Sequence, residues 1–217
     1  MKISKYIDHT VLKCTTDQET VKRFCTEAKE YDFASVCVNP HWVKYVSEEL
    51  QGTDVKTCCV IGFPLGANKT EIKVMETRLA IEDGAQEVDM VINLGALKSR
   101  QYEYFENDIR AVIEEAKGKA KVKVIIETSE LTQEEKIYVC KTAVEAGADF
   151  LKTSSGYTDQ GATVEDVKLM KSIAGDRCEV KASKGINNRK ICDDMIAAGA
   201  TRMGTSKGIK IVNNVTD

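Results

Sequence analysis

Three side chains in this sequence have the type and the setting for carbonyl chemistry. Lys152 closes the run Ala148-Asp149-Phe150-Leu151-Lys152, Lys181 closes Cys178-Glu179-Val180-Lys181, and Asp89 lies inside Glu87-Val88-Asp89-Met90-Val91-Ile92-Asn93. A single lysine at the end of an apolar strand most often carries its ammonium to solvent or pairs with a carboxylate. Two lysines and an aspartate on nearby strands mean more. Two ammonium groups facing one pocket destabilise each other's charge, and burial adds a desolvation cost, so one of them can lose its proton near neutral pH. A neutral amine is the nucleophile that a Schiff base with an aldehyde or ketone requires, and an aspartate beside it can relay protons between substrate hydroxyl, water and carbinolamine. Metal-dependent carbonyl chemistry is the competing mechanism. The chain has only two histidines, His9 and His41, and neither a His-Glu-x-x-His segment nor clustered His and Cys ligands. The residue supply favours an imine mechanism with no metal and no cofactor.

Two glycine-containing segments, Ala182-Ser183-Lys184-Gly185-Ile186-Asn187 and Met203-Gly204-Thr205-Ser206-Lys207-Gly208, follow the last two strand candidates. Loops in that place, with backbone N–H groups freed by glycine and hydroxyls beside them, commonly cradle a phosphate in (β/α)8 barrels. Each loop alone is more often a plain turn. Both carry a lysine where an anion would sit.

The elements that must position these groups follow from hydrophobic periodicity. Strand candidates near residues 6–10, 35–39, 56–62, 87–93, 122–127, 149–153, 178–182 and 201–205 alternate with helical stretches. Thr16-Asp17-Gln18-Glu19, Asn68-Lys69-Thr70-Glu71 and Thr132-Gln133-Glu134-Glu135 each place a capping oxygen three residues before a carboxylate and are read as helix starts. Asp83-Gly84-Ala85, Ala146-Gly147-Ala148 and Ala198-Gly199-Ala200 each close a helix and lead into a strand. Strict alternation means parallel pairing with right-handed crossovers. Eight units in 217 residues predict a closed (β/α)8 TIM barrel, one domain over residues 1–217. An open doubly wound sheet is the rival, without a Gly-x-Gly-x-x-Gly segment to make it a dinucleotide fold. Only about a dozen residues follow the eighth strand, so the final helix is short.

Composition narrows the function classes. With 42% hydrophobic and 30% charged residues and a net charge of -3, the chain reads as an ordinary soluble protein with no basic stripe for nucleic acid. No uncharged apolar run reaches membrane-spanning length and the N-terminus carries no signal sequence, so neither membrane nor export is expected, and the location expected is cytoplasmic. The eight cysteines form no Cys-x-x-Cys pair and read as small buried hydrophobes rather than disulfides or zinc ligands.

The ordered motifs resemble those of the deoxyribose-phosphate aldolases along nearly the whole chain. The matching segments are Asp8-His9-Thr10-Val11-Leu12-Lys13, Ser35-Val36-Cys37-Val38-Asn39-Pro40, Val60-Ile61-Gly62-Phe63-Pro64-Leu65-Gly66, 87–98, 122–128, 149–156, 180–185 and 202–212. The resemblance implies a (β/α)8 barrel and a class I aldolase that reversibly cleaves 2-deoxy-D-ribose 5-phosphate to glyceraldehyde 3-phosphate and acetaldehyde. It implies that Lys152 is the Schiff-base lysine, Lys181 the second lysine that lowers its pKa and Asp89 the proton relay. Asp8, Thr10 and Cys37 match positions lining the substrate pocket, Cys37 being as readily a packed core thiol. Thr153 and Ser155 fall beside the nucleophile, and Gly185, Gly204 and Ser206 at the phosphate. The partners implied are a small sugar phosphate and an aldehyde, with a homo-oligomer expected, most simply a dimer. Lys184, Asn187 and Lys207 depart from the family pattern, which usually has glycine, arginine and serine there. They either supply charge in place of the arginine or alter which phosphorylated aldehyde fits. Two other classes stay open: a phosphosugar isomerase or synthase on the same barrel, and a catalytically silent sugar-phosphate-binding barrel.

Overall fold

A computed structural model describes residues 2–215. Strands β1 (Ile7–Thr10), β2 (Ser35–Val38), β3 (Lys56–Ile61), β4 (Glu87–Val91), β5 (Lys121–Ile125), β6 (Phe150–Lys152), β7 (Glu179–Ser183) and β8 (Arg202–Thr205) alternate with helices. All pair in parallel, each with the next, and β8 pairs back with β1, which closes the barrel. Closure removes the sheet edges, and the open-sheet alternative falls with it. The helices are α1 (Gln18–Tyr31), α2 (Val43–Glu49), α3 (Thr70–Glu82), α4 (Leu94–Lys98), α5 (Tyr102–Ala116), α6 (Gln133–Ala146), α7 (Val164–Ala174), α8 (Arg189–Ala197) and α9 (Gly208–Val212). The last has five residues, as the short tail predicts.

Local chemistry explains where the helices begin and end. Thr132 and Glu135 form the expected capping box on α6, each side chain bonding the other's backbone N–H. The other two starts shift. Asp17 rather than Thr16 caps α1, its carboxylate accepting from Thr20 N at 2.9 Å; a charged acceptor suits the positive helix end. On α3 the cap position is Lys69 rather than Asn68, with no side-chain bond, and the first helical residue, Thr70, turns its hydroxyl to the buried Asp108 at 2.9 Å. Gly84, Gly147 and Gly199 take φ of 102°, 93° and 112°, the left-handed state their position past a helix demands.

The apolar core fills the layer between strands and helices, with Phe33, Phe105, Ile109, Val112 and Met170 among its members. The barrel interior is different. There charged side chains bond to one another, from β4 to its neighbour β5 and, across the axis, from β4 to β7 and to β8. Phe150 plugs the lower end beneath Lys123 and Arg202, whose cationic groups sit 5.7 and 5.2 Å from its ring centre. Seven cysteines are buried, whereas Cys14 is exposed, against expectation: it lies in the loop between β1 and α1, where no layer covers it.

Candidate active site

Residues two apart on a strand face the same side, and this alternation assembles the site. Asp8 from β1, Glu87 and Asp89 from β4, Lys123 from β5, Lys152 from β6, Lys181 from β7 and Arg202 from β8 all converge inside the barrel. Asp89 is their hub. Its Oδ2 accepts from Lys152 Nζ at 2.8 Å and from Lys181 Nζ at 2.7 Å, and its Oδ1 accepts from Lys123 Nζ at 2.8 Å. Register brings the two predicted lysines together, since Lys152 and Lys181 are direct cross-strand partners. Asp8 pairs with Lys181 at 2.5 Å and accepts from Arg202 at 2.7 Å and from the Ser35 hydroxyl at 2.5 Å. Glu87 completes the base, 2.6 Å from Lys123 and bonded by both terminal nitrogens of Arg202.

Four cationic groups thus face three carboxylates where water has little access; Lys181 and Asp89 are 0% exposed and Lys152 2%. Burial on its own raises the pKa of Asp89, but Lys123, Lys152 and Lys181 outweigh it and hold the carboxyl well below its ordinary range. Asp8 follows the same logic, with burial opposed by Arg202, Lys181 and Lys123 and the net shift downward. Burial disfavours the ammonium of Lys181, yet Asp8 and Asp89 more than compensate and raise its pKa above the ordinary lysine value. Asp89 and Lys181 therefore keep their charges through neutral pH.

Above this cluster opens a cavity of about 410 Å³. Of the predicted residues, Thr10, Lys152, Ser155, Gly185, Gly204 and Ser206 line it. Lys152 is the single member of the charged cluster that reaches its wall. Lys181, expected to face the pocket beside Lys152, lies beneath it, as do Asp89, Asp8, Cys37 and Thr153. The reason is depth along each strand. Asp8 precedes Thr10 by one inward step, and Cys37 packs with Cys58 and Val60 in a small buried group. Thr153 turns its hydroxyl to the backbone of Ser183, at 3.3 Å to the carbonyl and 3.0 Å from the N–H.

The far end of the cavity is made by Ser183 to Asn187 and Gly204 to Ser206. Gly204 must lack a side chain because a Cβ there would lie 2.4 Å from Ser183 Oγ and 3.1 Å from Lys181. Lys184 sits at φ 63°, a left-handed state more natural to glycine, and lines the cavity together with Asn187. Lys207 lines instead an adjoining cavity with Lys13, Thr16 and Arg23. Ser183 Oγ is buried without a hydrogen-bond partner against the wall, a donor available to an oxyanion.

Sequence reasoning passed over Lys123, Glu87, Arg202 and Ser183. The signal was present for Lys123, a charge inside the apolar run Val122-Lys123-Val124-Ile125-Ile126, which belongs in a strand only if something buried neutralises it. Cys37, Cys58 and Asp89 bring three metal-capable atoms within 4.8 Å of one another. Lys123 already occupies two of those donors, at 2.8 Å from Asp89 and 3.3 Å from Cys58 Sγ.

An amine at the open end of a closed (β/α)8 barrel, resting on a carboxylate and facing a cavity lined with hydroxyls and freed N–H groups, is the site of a barrel aldolase. The comparisons agree: residues 2–214 match the model of the DeoC/LacD family aldolases, and the chain belongs to that family. A Clostridium tetani protein named deoxyribose-phosphate aldolase is 60% identical over 98% of both chains, and an Enterococcus faecalis protein of the same name 54% identical over all of this chain and 98% of its own. Among solved structures, the aldolase QR15 superposes with a TM-score of 0.92 at 44% identity, covering 97% of this chain and 94% of its own. The tetrameric deoxyribose phosphate aldolase of Aeropyrum pernix gives 0.90 at 31% identity, covering 97% and 89%.

Proposed function

We propose that this chain is a class I aldolase that reversibly cleaves 2-deoxy-D-ribose 5-phosphate to D-glyceraldehyde 3-phosphate and acetaldehyde. The observation that carries the reading is that Lys152 alone among the clustered charges meets the cavity, while its amine rests on a carboxylate shared with Lys181. The nucleophile must be the neutral amine. With Lys152 neutral, Lys123, Lys181 and Arg202 face the three carboxylates Asp8, Glu87 and Asp89.

In this mechanism Lys152 Nζ attacks C1 of the open-chain sugar phosphate, and water leaves to form an iminium that acts as electron sink. Asp89, with Lys181 and water, takes the proton of the C3 hydroxyl as C2–C3 breaks and glyceraldehyde 3-phosphate departs. The remaining enamine is protonated at C2 and hydrolysed to acetaldehyde, which frees Lys152. Gly185, Gly204, Ser206 and Ser183 hold the phosphate, assisted by the charge of Lys184. Thr10 and Ser155 contact the chain of the sugar, and Asp8, Cys37 and Thr153 support them from below.

An isomerase needs a carboxylate or histidine base where this chain has Lys152 and forms no imine. A silent barrel binds ligand without turnover. Borohydride reduction with acetaldehyde, followed by intact mass and peptide mapping, separates these readings from ours. One ethyl group on the peptide carrying Lys152 is the expected result, and a folded protein without an adduct refutes the assignment. No helix among the described residues is long and apolar enough to cross a membrane. The buried thiols, none of them bridged, support the cytoplasmic location. A homo-oligomer, most simply a dimer, is proposed; the tetrameric Aeropyrum pernix relative supports self-association, and the mass in solution tests the dimer.

A further inference from the structure

The segment between β6 and α7, residues 153–163, has no regular structure, yet it forms one wall of the cavity through Ser155, Gly156 and Tyr157. Buried Glu127, just past β5, holds it. Both carboxylate oxygens accept from Ser155 N, at 3.1 and 3.3 Å, and one of them also accepts from the Thr158 hydroxyl at 3.1 Å. The grip therefore falls on either side of Gly156 and Tyr157. Within it, Ser155 Oγ accepts from Tyr157 N at 3.1 Å, and the Tyr157 hydroxyl donates to the Leu12 carbonyl at 2.9 Å. At the far end Ala162 N donates to the carbonyls of Ser183 and Lys184, both at 3.1 Å.

The backbone at Glu127 is strained for this placement. Its φ of 54° is left-handed, a state that a residue with a side chain keeps only where its surroundings impose it. The amides on either side of it stay paired with the next strand, Ile126 N on the Lys152 carbonyl and Thr128 N on the Thr153 carbonyl, both at 2.9 Å. The neighbours of Glu127 thus hold the end of β6, and its carboxylate serves the segment beyond. Glu127 itself does not line the cavity.

We propose that Glu127 is a positioning residue for the sugar phosphate: by fixing the turn from Ser155 to Thr158 it shapes the β6 wall of the cavity, and so sets affinity without taking part in the imine chemistry of Lys152. The inference rests on the aldolase reading above, in which Ser155 contacts the chain of the sugar. Loss of the carboxylate leaves the buried Ser155 N unpaired and frees the turn, so a wall that substrate and transition state both touch loses its shape. A uniform loss of that kind raises KM and spares kcat. The amine of Lys152 keeps its place, because Asp89 holds it from below at 2.8 Å.

The test measures kcat and KM for cleavage of 2-deoxyribose 5-phosphate, with thermal melts and with borohydride trapping of acetaldehyde on Lys152. Glu127→Gly is the informative change, since glycine takes a positive φ freely and the variant loses the carboxylate alone. It raises KM by at least about tenfold, the worth of one hydrogen bond to a carboxylate, and keeps kcat within about threefold. Trapping of acetaldehyde stays as fast as in the unmodified protein. Glu127→Gln retains an oxygen for Ser155 N and brings KM back to within about threefold of the unmodified value. Thr158→Val removes one bond of the grip at a half-buried position outside the cavity wall, and raises KM with kcat unchanged. Where Glu127→Gly fails to fold, Thr158→Val alone decides. An unchanged KM in the folded variants, with acetaldehyde still trapped, overturns this inference alone. A kcat or a trapping rate that falls along with the rise in KM makes Glu127 a prop of β6 and overturns it as well. Absence of any acetaldehyde adduct in the unmodified protein overturns the imine reading and this inference with it.

Discussion

Replacing Lys181 with methionine is the sharpest probe of how the buried charges prepare Lys152. Lys181 and Lys152 donate to the same oxygen of Asp89 at 2.7 and 2.8 Å, so their nitrogens lie no more than 5.5 Å apart. Because Asp8 and Asp89 raise the pKa of Lys181, its charge persists through neutral pH and repels an ammonium on Lys152 throughout the working range. At an effective dielectric of about 20, two unit charges about 5 Å apart repel by about 3 kcal/mol. That equals about two pH units. In the variant that repulsion is gone, and Lys123, Lys152 and Arg202 are the cations that face the three carboxylates. The acid limb of the kcat/KM profile for deoxyribose 5-phosphate cleavage therefore moves up by about two pH units. Activity at pH 7 falls about a hundredfold and recovers at alkaline pH. Rates from pH 5 to 10, with thermal melts to establish folding, provide the assay. A profile that superimposes on that of the unmodified enzyme, in a folded variant, refutes the coupling.

Lys152→Met removes the nucleophile but keeps the stem, so cleavage falls by at least about a thousandfold and the borohydride adduct disappears while the melting temperature holds. Residual turnover near the unmodified rate would end the assignment. Lys123→Met takes from Asp89 Oδ1 its ammonium donor and from Glu87 one of its two cations in a buried space, a loss of about 3 to 5 kcal/mol. At this chain length that lowers Tm by about 10 °C, and a melt within about 3 °C of the unmodified protein contradicts the role given to Lys123. The carboxyls of Asp8, Glu87 and Asp89 lie below their ordinary values in the folded state, so their stabilisation is complete above about pH 5 and is lost as pH falls through the folded values. Lys123 and Lys181 lie above theirs, so their contribution is full below about pH 10 and is lost on further rise. Urea unfolding between pH 3 and 11 should show a plateau with a decline at each end, and a curve still rising at pH 3 would be incompatible with these pairs.

Much of the site was legible because charge in an apolar strand is costly and therefore conspicuous. Lys152, Lys181 and Asp89 each interrupt or close such a run, and the register makes the two lysines cross-strand neighbours. Lys123 interrupts one too, and its partners were not legible. Glu87 and Arg202 lie 115 residues apart along the chain, and only closure of the barrel brings them to 2.9 Å. The same holds for Tyr157 and Leu12, separated by 145 residues and joined at 2.9 Å.

The sequence by itself determined the alternation of eight strands with helices, the glycine stops that close three of the helices, and the residue types at the strand ends. These depend on periodicity, backbone conformation and the cost of misplaced charge, all of which act over a few residues. Tertiary structure decided depth. Whether a strand-end residue reaches the cavity, as Lys152 does, or remains beneath it, as Lys181, Asp89, Asp8 and Cys37 do, depends on how each strand is staggered against its neighbours in a closed barrel. Stagger is a property of the whole ring of pairings, and no single segment encodes it.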